Sequence, residues 1–125
     1  MSTTTTPTPA TIQEVVDKFN TLDDALKIVF PKVDPRTVVG LIIRGKTEKK
    51  PIYTLETVIK PDQNIDSIRR DILNVTGMAP GFYLQNTKII VTHALDLELL
   101  KRINDLDYVV SIKGNPYSAG GSSDF

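Results

Sequence analysis

Hydrophobic positions in the first quarter of the chain recur at helical spacing. Apolar side chains fall at i, i+3, i+4 and i+7 over residues 12–19, and similar spacing returns over residues 22–29. This pattern predicts either two short helices or one helix bent near Asn20. Pro31 ends the helical region, because a residue that precedes proline is pushed out of the α conformation.

A different pattern follows the connector over residues 31–35. Residues 37–44 are rich in β-branched side chains and apolar on both faces, which favours a strand covered on both sides. Residues 52–59 alternate between apolar and polar, as a half-buried strand does. We therefore predict a β-hairpin over residues 37–59, with residues 45–50 as its turn.

The remainder of the chain continues as helix, two strands, helix and strand. The predicted segments are a helix over 65–75, strands over 81–85 and 88–92, a helix over 97–103 and a strand over 108–113. From Ile52 onward the order is β-α-β-β-α-β, which is that of a ferredoxin-like antiparallel sheet with two packed helices. The predicted fold class is therefore α+β: a helical N-terminal segment and a β-hairpin precede a ferredoxin-like sheet.

Two questions about this sheet stay open at the level of sequence. A strand over 37–44 would compete for an edge that the ferredoxin-like order already fills, so it either projects beyond the sheet or replaces the strand over 108–113. The face of the sheet away from the two packed helices needs a cover or faces solvent. We expect the N-terminal helices, or a second copy of the chain, to cover it.

Capping residues mark the helix ends. Thr11 begins a capping box, and Thr21 repeats the same kind of signal within the first helical region. Asn64 and Asp96 stand where helix N-caps belong, and Gly77 stands where a left-handed C-terminal residue belongs.

Length and composition indicate one domain with two tails. The chain has 125 residues, which fits one domain better than two. Residues 1–10 are rich in threonine and proline, and residues 114–125 consist mainly of turn formers and small polar side chains. We predict that both ends are flexible and that residues 11–113 form the folded body.

Charge and cysteine content exclude several function classes. Fifteen basic residues balance fifteen acidic ones, which argues against a nucleic-acid-binding protein. The chain has no cysteine and one histidine, so disulfides, thiolate metal sites and histidine-rich metal sites are excluded. No segment is long and apolar enough to span a membrane, and no secretory leader is recognised, so the expected location is cytoplasmic. No cofactor or metal is predicted.

The candidate binding residues include the one concentrated basic stretch. Arg44, Lys46, Lys49 and Lys50 stand close together and could hold a phosphate or an acidic protein surface. Residues 40–47 also match the spacing of a phosphate-binding loop, but they lack the helix that must follow, so a solvated turn is the preferred interpretation. A lone His93 is interpreted as structural, since a general base needs a nucleophile or an orienting carboxylate.

Residues 65–113 resemble the propeptide-inhibitor domain of subtilisin-type proteases. The resemblance rests on a helix, the strand pair at 82–85 and 88–92, the helix Leu-Glu-Leu-Leu-Lys-Arg-Ile and the closing Asp-Tyr-Val-Val-Ser-Ile over 107–112. The resemblance implies that the sheet packs on a protease. It also implies that the segment matching residues 114–119 lies in the protease's substrate cleft.

The preferred function is a non-enzymatic protein-binding module, whether adaptor, regulator or inhibitor. It would act through its sheet face or its tails, with Tyr117 and Phe125 as aromatic anchors. The expected partner is another protein, and a homodimer is an alternative. The second hypothesis is a small-ligand-binding regulatory domain of ferredoxin-like type, which fold analogy alone supports. No catalytic residue is assigned.

Overall fold

A computed structural model describes residues 11–117. The elements, in chain order, are α1 (Ile12–Val29), α2 (Pro35–Arg44), β1 (Ile52–Ile59), α3 (Ile65–Thr76), β2 (Gly81–Tyr83), β3 (Lys88–Ala94), α4 (Leu97–Asn104) and β4 (Val109–Pro116). The predicted tail over 1–10 and most of the one over 114–125 lie outside the described residues. Strand β4 extends to Pro116, three residues beyond the predicted end of that strand at residue 113.

The N-terminal helical region is one helix. Thr11 caps α1 through a capping box with Glu14, as predicted. Thr21 does not start a second helix, because its hydroxyl donates to the Asp17 carbonyl one turn earlier at 3.1 Å. The helix ends at Phe30, immediately before Pro31.

The predicted strand over 37–44, and with it the β-hairpin over 37–59, is wrong. These residues form helix α2, which Asp34 caps by accepting from the Arg36 N–H at 2.9 Å and which Pro35 opens at the first helical position. Thr37, Val38 and Leu41 are buried at helical spacing. The cap and this spacing outweigh the β-propensity of the segment, which is a weak prior.

The other predicted caps are confirmed. Asn64 accepts from the Ser67 N–H at 3.0 Å, and Asp96 accepts from the Leu99 N–H at 2.8 Å. Gly77 follows α3 with a φ of +78°, the left-handed conformation that glycine adopts without strain. Strand β2 is shorter than predicted, because positive φ angles from Leu84 onward turn the chain.

The four strands form one antiparallel sheet in the order β2-β3-β1-β4. The first strand is therefore central, between β3 and β4. Helix α3 connects β1 to β2, and α4 connects β3 to β4. Since residues 37–44 are helical, no further strand competes for the edge that β4 occupies.

One face of the sheet carries the core. Alternate residues of β1 are buried there, and α2 lies on the same side, where it contacts α4 and β4. The opposite face stays open, because α1 packs against α2 rather than against the sheet. The prediction that the N-terminal helices cover that face is wrong. The core residues are Leu26, Phe30, Val33, Val38, Leu41, Tyr53, Leu55, Ile59, Ile68, Ile72, Ile89, Val91, Leu95, Leu100, Ile103, Val109 and Ile112.

The outer edge of β4 is covered at Ile112 and Gly114. The Ile112 main chain donates to the Lys32 carbonyl and accepts from the Asp34 N–H, both at 2.8 Å. Two residues on, Gly114 donates to the Thr37 hydroxyl at 3.0 Å, and its carbonyl accepts from that hydroxyl at 3.3 Å. The next outward position is Pro116, which has no N–H. Strand N–H groups that are already occupied are not available for pairing with a further strand.

Gly114 also leaves room for the Leu55 side chain of the neighbouring strand. A Cβ at this position would stand 2.4 Å from Leu55 Cδ2 and 3.1 Å from the Thr54 carbonyl oxygen. Both neighbours belong to β1, the central strand, so neither moves without disturbing the sheet.

We expect Gly114→Ala to lower the free energy of unfolding by about 1–3 kcal/mol, as overpacking does in a filled core. The matched control is Gly40→Ala. A Cβ at Gly40 meets only the Tyr53 hydroxyl at 3.5 Å, an ordinary contact. Because alanine is the better helix former, Gly40→Ala should be neutral or stabilise by up to about 1 kcal/mol. Urea unfolding followed by circular dichroism measures both, and equal effects would contradict this packing account.

Candidate functional site

The structure separates the residues of the predicted basic site. Arg44 ends α2 and faces a groove between α2 and β4. Lys46 and Lys49 line a different depression, beside Leu97 at the start of α4. Lys50 lies 3.7 Å from the Asp96 carboxylate. Arg44 therefore lies apart from the depression that Lys46 and Lys49 line, whose wall includes Asp96, the partner of Lys50.

The string at residues 40–47 builds no phosphate-binding loop. Gly40 lies within α2, and Gly45 caps that helix with α-helical backbone angles. Residues 45–50 form the turn between α2 and β1. The backbone N–H groups that such a loop points at a phosphate are thus engaged in helix hydrogen bonds or spread along a turn.

The groove between α2 and β4, called the α2–β4 groove below, is a concavity lined by a predicted site residue, Arg44. Its volume is about 580 Å³, within the range of small-molecule sites. It lies where the hydrogen bonds between Thr37 and Gly114 join α2 to β4. Its lining residues are Asp34, Arg36, Thr37, Gly40, Arg44, Tyr53, Lys113, Gly114, Asn115 and Pro116.

Positive charge exceeds negative charge in this groove. Arg36 is neutralised by Asp34 at 2.9 Å, and this pairing lowers the pKa of the Asp34 carboxyl. Arg44 forms no ion pair with any carboxylate of residues 11–117. Lys113 lies 3.7 Å from Glu56, a loose pairing. Two cations are thus left with weak or no compensation.

Tyr53 forms the floor of the groove. Its side chain is only 1% exposed, and its ring belongs to the core on β1. The missing side chain at Gly40 leaves room for its hydroxyl beside α2. Burial raises the pKa of the Tyr53 phenol, and the neighbouring Arg44 guanidinium partly offsets that rise. The phenol is therefore protonated at neutral pH and able to donate a hydrogen bond.

The open sheet face carries a row of charged and hydroxyl side chains beside apolar ones such as Ile52 and Ile90. Glu56 on β1 binds Lys88 of β3 at 2.8 Å and lies 3.7 Å from Lys113 of β4. The hydrogen bond from Lys88 is the main cause that lowers the pKa of the Glu56 carboxyl. Next to this row, the hydroxyls of Thr54 and Thr92 share a hydrogen bond of 2.8 Å. Charged and hydroxyl groups thus already satisfy one another across three strands.

Of the two predicted aromatic anchors, the structure describes one. The Tyr117 N–H donates to the Ile52 carbonyl at 2.8 Å, so the main chain still follows β1 beyond the end of β4. The Tyr117 side chain is 56% exposed. Phe125 lies outside the described residues.

The exposed apolar face of α1 was not singled out from sequence. Residues 11–22 are exposed throughout, although the helix carries apolar side chains at regular spacing. Ile12 is 86% exposed and Phe19 is 56% exposed. Only near the C-terminal end do Leu26 and Phe30 enter the core. The set called the α1 stripe below is Ile12, Val15, Val16, Phe19 and Leu22.

His93 is buried on β3. Its Nδ1 lies 2.8 Å from the Ala94 carbonyl oxygen, which only accepts, so Nδ1 carries the proton. Nε2 is buried and has no hydrogen-bond partner within the described part of the chain. Burial lowers the pKa of His93 below its ordinary value of 6.5. These features are those of a neutral structural side chain.

Comparisons with models of protein families, with curated proteins and with solved structures found no match to this chain. Over residues 11–117, no group of three or more histidine, aspartate or glutamate side chains is placed to hold a metal ion. In the same part of the chain, no helix combines the length and the apolar character needed to cross a membrane.

We expect His93 to make the fold sensitive to acid. A histidine whose pKa is depressed on folding takes up its proton more readily in the unfolded chain, so stability falls once the pH drops below about 6.5. Urea unfolding of the native chain should therefore show a larger loss between pH 8 and pH 5.5 than unfolding of His93→Gln. Both proteins contain the same carboxylates, which titrate at lower pH, so the contribution of these groups to the loss of stability cancels when the two proteins are compared. Equal losses would show that His93 is protonated as easily folded as unfolded.

Proposed function

We propose that this chain is a non-enzymatic protein-binding module and that it associates through the α1 stripe. The observation that carries the proposal is the exposure of regularly spaced large apolar side chains along the first turns of α1. Soluble chains expose single apolar residues routinely, but a contiguous row of them marks an interaction surface. Burying the row is favourable by roughly 25 cal/mol per Å² of apolar surface.

The spacing of the stripe fits a second helix. Ile12 and Phe19 are seven residues apart, and Val15 and Leu22 repeat the same interval, which is the a and d pattern of a coiled coil. Val16 adjoins this seam. A partner helix with the same repeat would interdigitate with it along three turns.

We propose a second copy of the chain as the occupant, with the two α1 helices parallel. In that arrangement a g residue faces the e residue five positions later on the other helix, and here these residues are Lys18 and Asp23. Because the dimer has a twofold axis, the attraction between Lys18 and Asp23 occurs twice. Asp23 uses one carboxylate oxygen for Lys27 at 2.9 Å, so its other oxygen can meet the partner helix.

The size of the surface suits a reversible dimer. Ten stripe side chains from two copies, each with roughly 100 Å² or less to cover, bring the buried area to the order of 1,000 Å², the lower end for a specific interface. Such an interface is expected to be in exchange between monomer and dimer at micromolar concentration.

We also propose that the body is ferredoxin-like. The support is the β-α-β-β-α-β order from Ile52 onward, the central place of β1 and the antiparallel pairing of all neighbours. The inhibitor-like function implied by the resemblance to protease propeptides stays a prediction. Gly114 to Pro116 pair with β1, so in this arrangement a cleft-binding segment begins at Tyr117.

Replacing an apolar member of the stripe with a charge should prevent dimer formation. For Phe19→Asp we expect the dissociation constant to rise at least tenfold, because two buried rings are lost and two carboxylates are brought together. Sedimentation equilibrium of the full chain from about 1 to 300 μM measures it. The matched control is Ile28→Asp: Ile28 is 80% exposed on the same helix but lies on its opposite side.

The two variants separate the outcomes. A dimer that is weakened by Phe19→Asp and unaffected by Ile28→Asp supports the proposal. A monomer at every concentration shows that a second copy is not the occupant, and an equal effect of both variants shows that the stripe is not the interface. Circular dichroism checks that both variants keep their helix content.

A further inference from the structure

We propose that the α2–β4 groove binds a small molecule through an oxyanion group, carboxylate or phosphate, which Arg44 and the Tyr53 hydroxyl hold. None of the lining residues belongs to α1, so this inference is independent of association through the α1 stripe. It assigns a ligand class to a concavity in which a predicted site residue, Arg44, meets the buried Tyr53.

The first support is the charge available in the groove. Arg44 is half-buried and, among residues 11–117, has no carboxylate within 4.0 Å. A guanidinium presents paired N–H donors that match the oxygens of a carboxylate or phosphate. Lys113 also lines the groove, with its ammonium 3.7 Å from Glu56 on the open sheet face.

The second support is the position of Tyr53. A tyrosine ring that is buried needs no hydroxyl for its packing, yet this one directs its hydroxyl to the groove beside Gly40. The protonated phenol is a donor in a partly desolvated place, where hydrogen bonds to an anion are strongest. The Glu48 carboxylate, on the turn after α2, is the smallest of the causes that shift the pKa of Tyr53. Glu48 is not among the residues that line the groove.

The third support is the rigidity of the walls. Thr37 on α2 is fixed to Gly114 on β4 by hydrogen bonds of 3.0 and 3.3 Å. Asn115 and Pro116 of the same strand complete the wall and pair with β1. A site with walls held in this way loses little conformational entropy when a ligand enters.

The test is a titration of the full chain, labelled with ¹⁵N, with inorganic phosphate and separately with acetate, at constant ionic strength set by sodium chloride. We expect saturable shifts of the amide signals of Thr37, Gly40 and Asn115, with millimolar affinity for the bare ions. Arg44→Gln should weaken binding about tenfold. Arg44→Lys should weaken it less, because lysine keeps the positive charge but lacks the paired N–H donors of the guanidinium. Tyr53→Phe, which keeps the ring, should weaken it several-fold.

The matched control is Arg70→Gln, an exposed arginine of α3 outside the groove. Loss of affinity in Arg44→Gln but not in Arg70→Gln supports the proposal. If both variants lose affinity equally, or if signals near every basic side chain shift, the ions associate with the protein in general and the proposed site is overturned. No saturable shift with either ion also overturns it.

If Tyr53→Phe binds like the native chain, the hydroxyl is not a ligand donor. Comparison of the phosphate and acetate affinities identifies which oxyanion the groove prefers.

Discussion

The contact between Thr37 and Gly114 fixes where α2 sits on the edge of the sheet. The Thr37 hydroxyl is buried on the first turn of α2 and exchanges hydrogen bonds with both main-chain groups of Gly114. This arrangement requires glycine, because the Leu55 side chain occupies the place of a Cβ. A buried hydroxyl that satisfies a strand's free N–H and C=O also removes the cost of leaving those groups unpaired.

Several distant features depend on that contact. It closes the outer edge of β4 together with the backbone hydrogen bonds of Ile112, and it brings Gly40 and Arg44 over Tyr53. It also orients α1, since that helix packs mainly on α2 and enters the core only near its C-terminal end. The groove and the exposed helix are thus consequences of how one helix is attached to one edge strand.

The parts of the fold that follow from local chemistry could be predicted from the sequence. Thr11, Asn64, Gly77 and Asp96 act within one turn of their own helix, so short-range patterns identify them. The order of elements from Ile52 onward is equally local.

The segment over 37–44 could not be predicted so simply, because two local signals conflict there. Its β-branched composition favours a strand, whereas Asp34 and Pro35 favour the start of a helix. The conflict is settled by tertiary contacts with β4 and α4, which no local pattern contains. The same limit applied to the basic stretch: Arg44 and Lys50 are close in sequence but, once α2 is a helix, they face different surfaces.

The helical spacing of apolar residues also does not show whether the rest of the chain covers the face that they form. Phe19 and Leu26 continue one helical face, yet Leu26 is in the core and Phe19 is largely exposed. The difference arises because α1 extends past α2, and the length of that overlap is a property of the packed structure.

The distribution of charge favours the α1 stripe over the open sheet face as the surface for the proposed protein partner. Covering the sheet face would take Glu56, Lys88 and Lys113 out of water, and the desolvation of charges offsets much of what contact provides. Covering the α1 stripe removes apolar side chains from water, which is favourable without any such cost. Association through α1 also leaves the ion pairs of the sheet and the hydrogen bonds of β4 unchanged. The body can therefore keep its groove accessible to a small ligand while the helix is engaged.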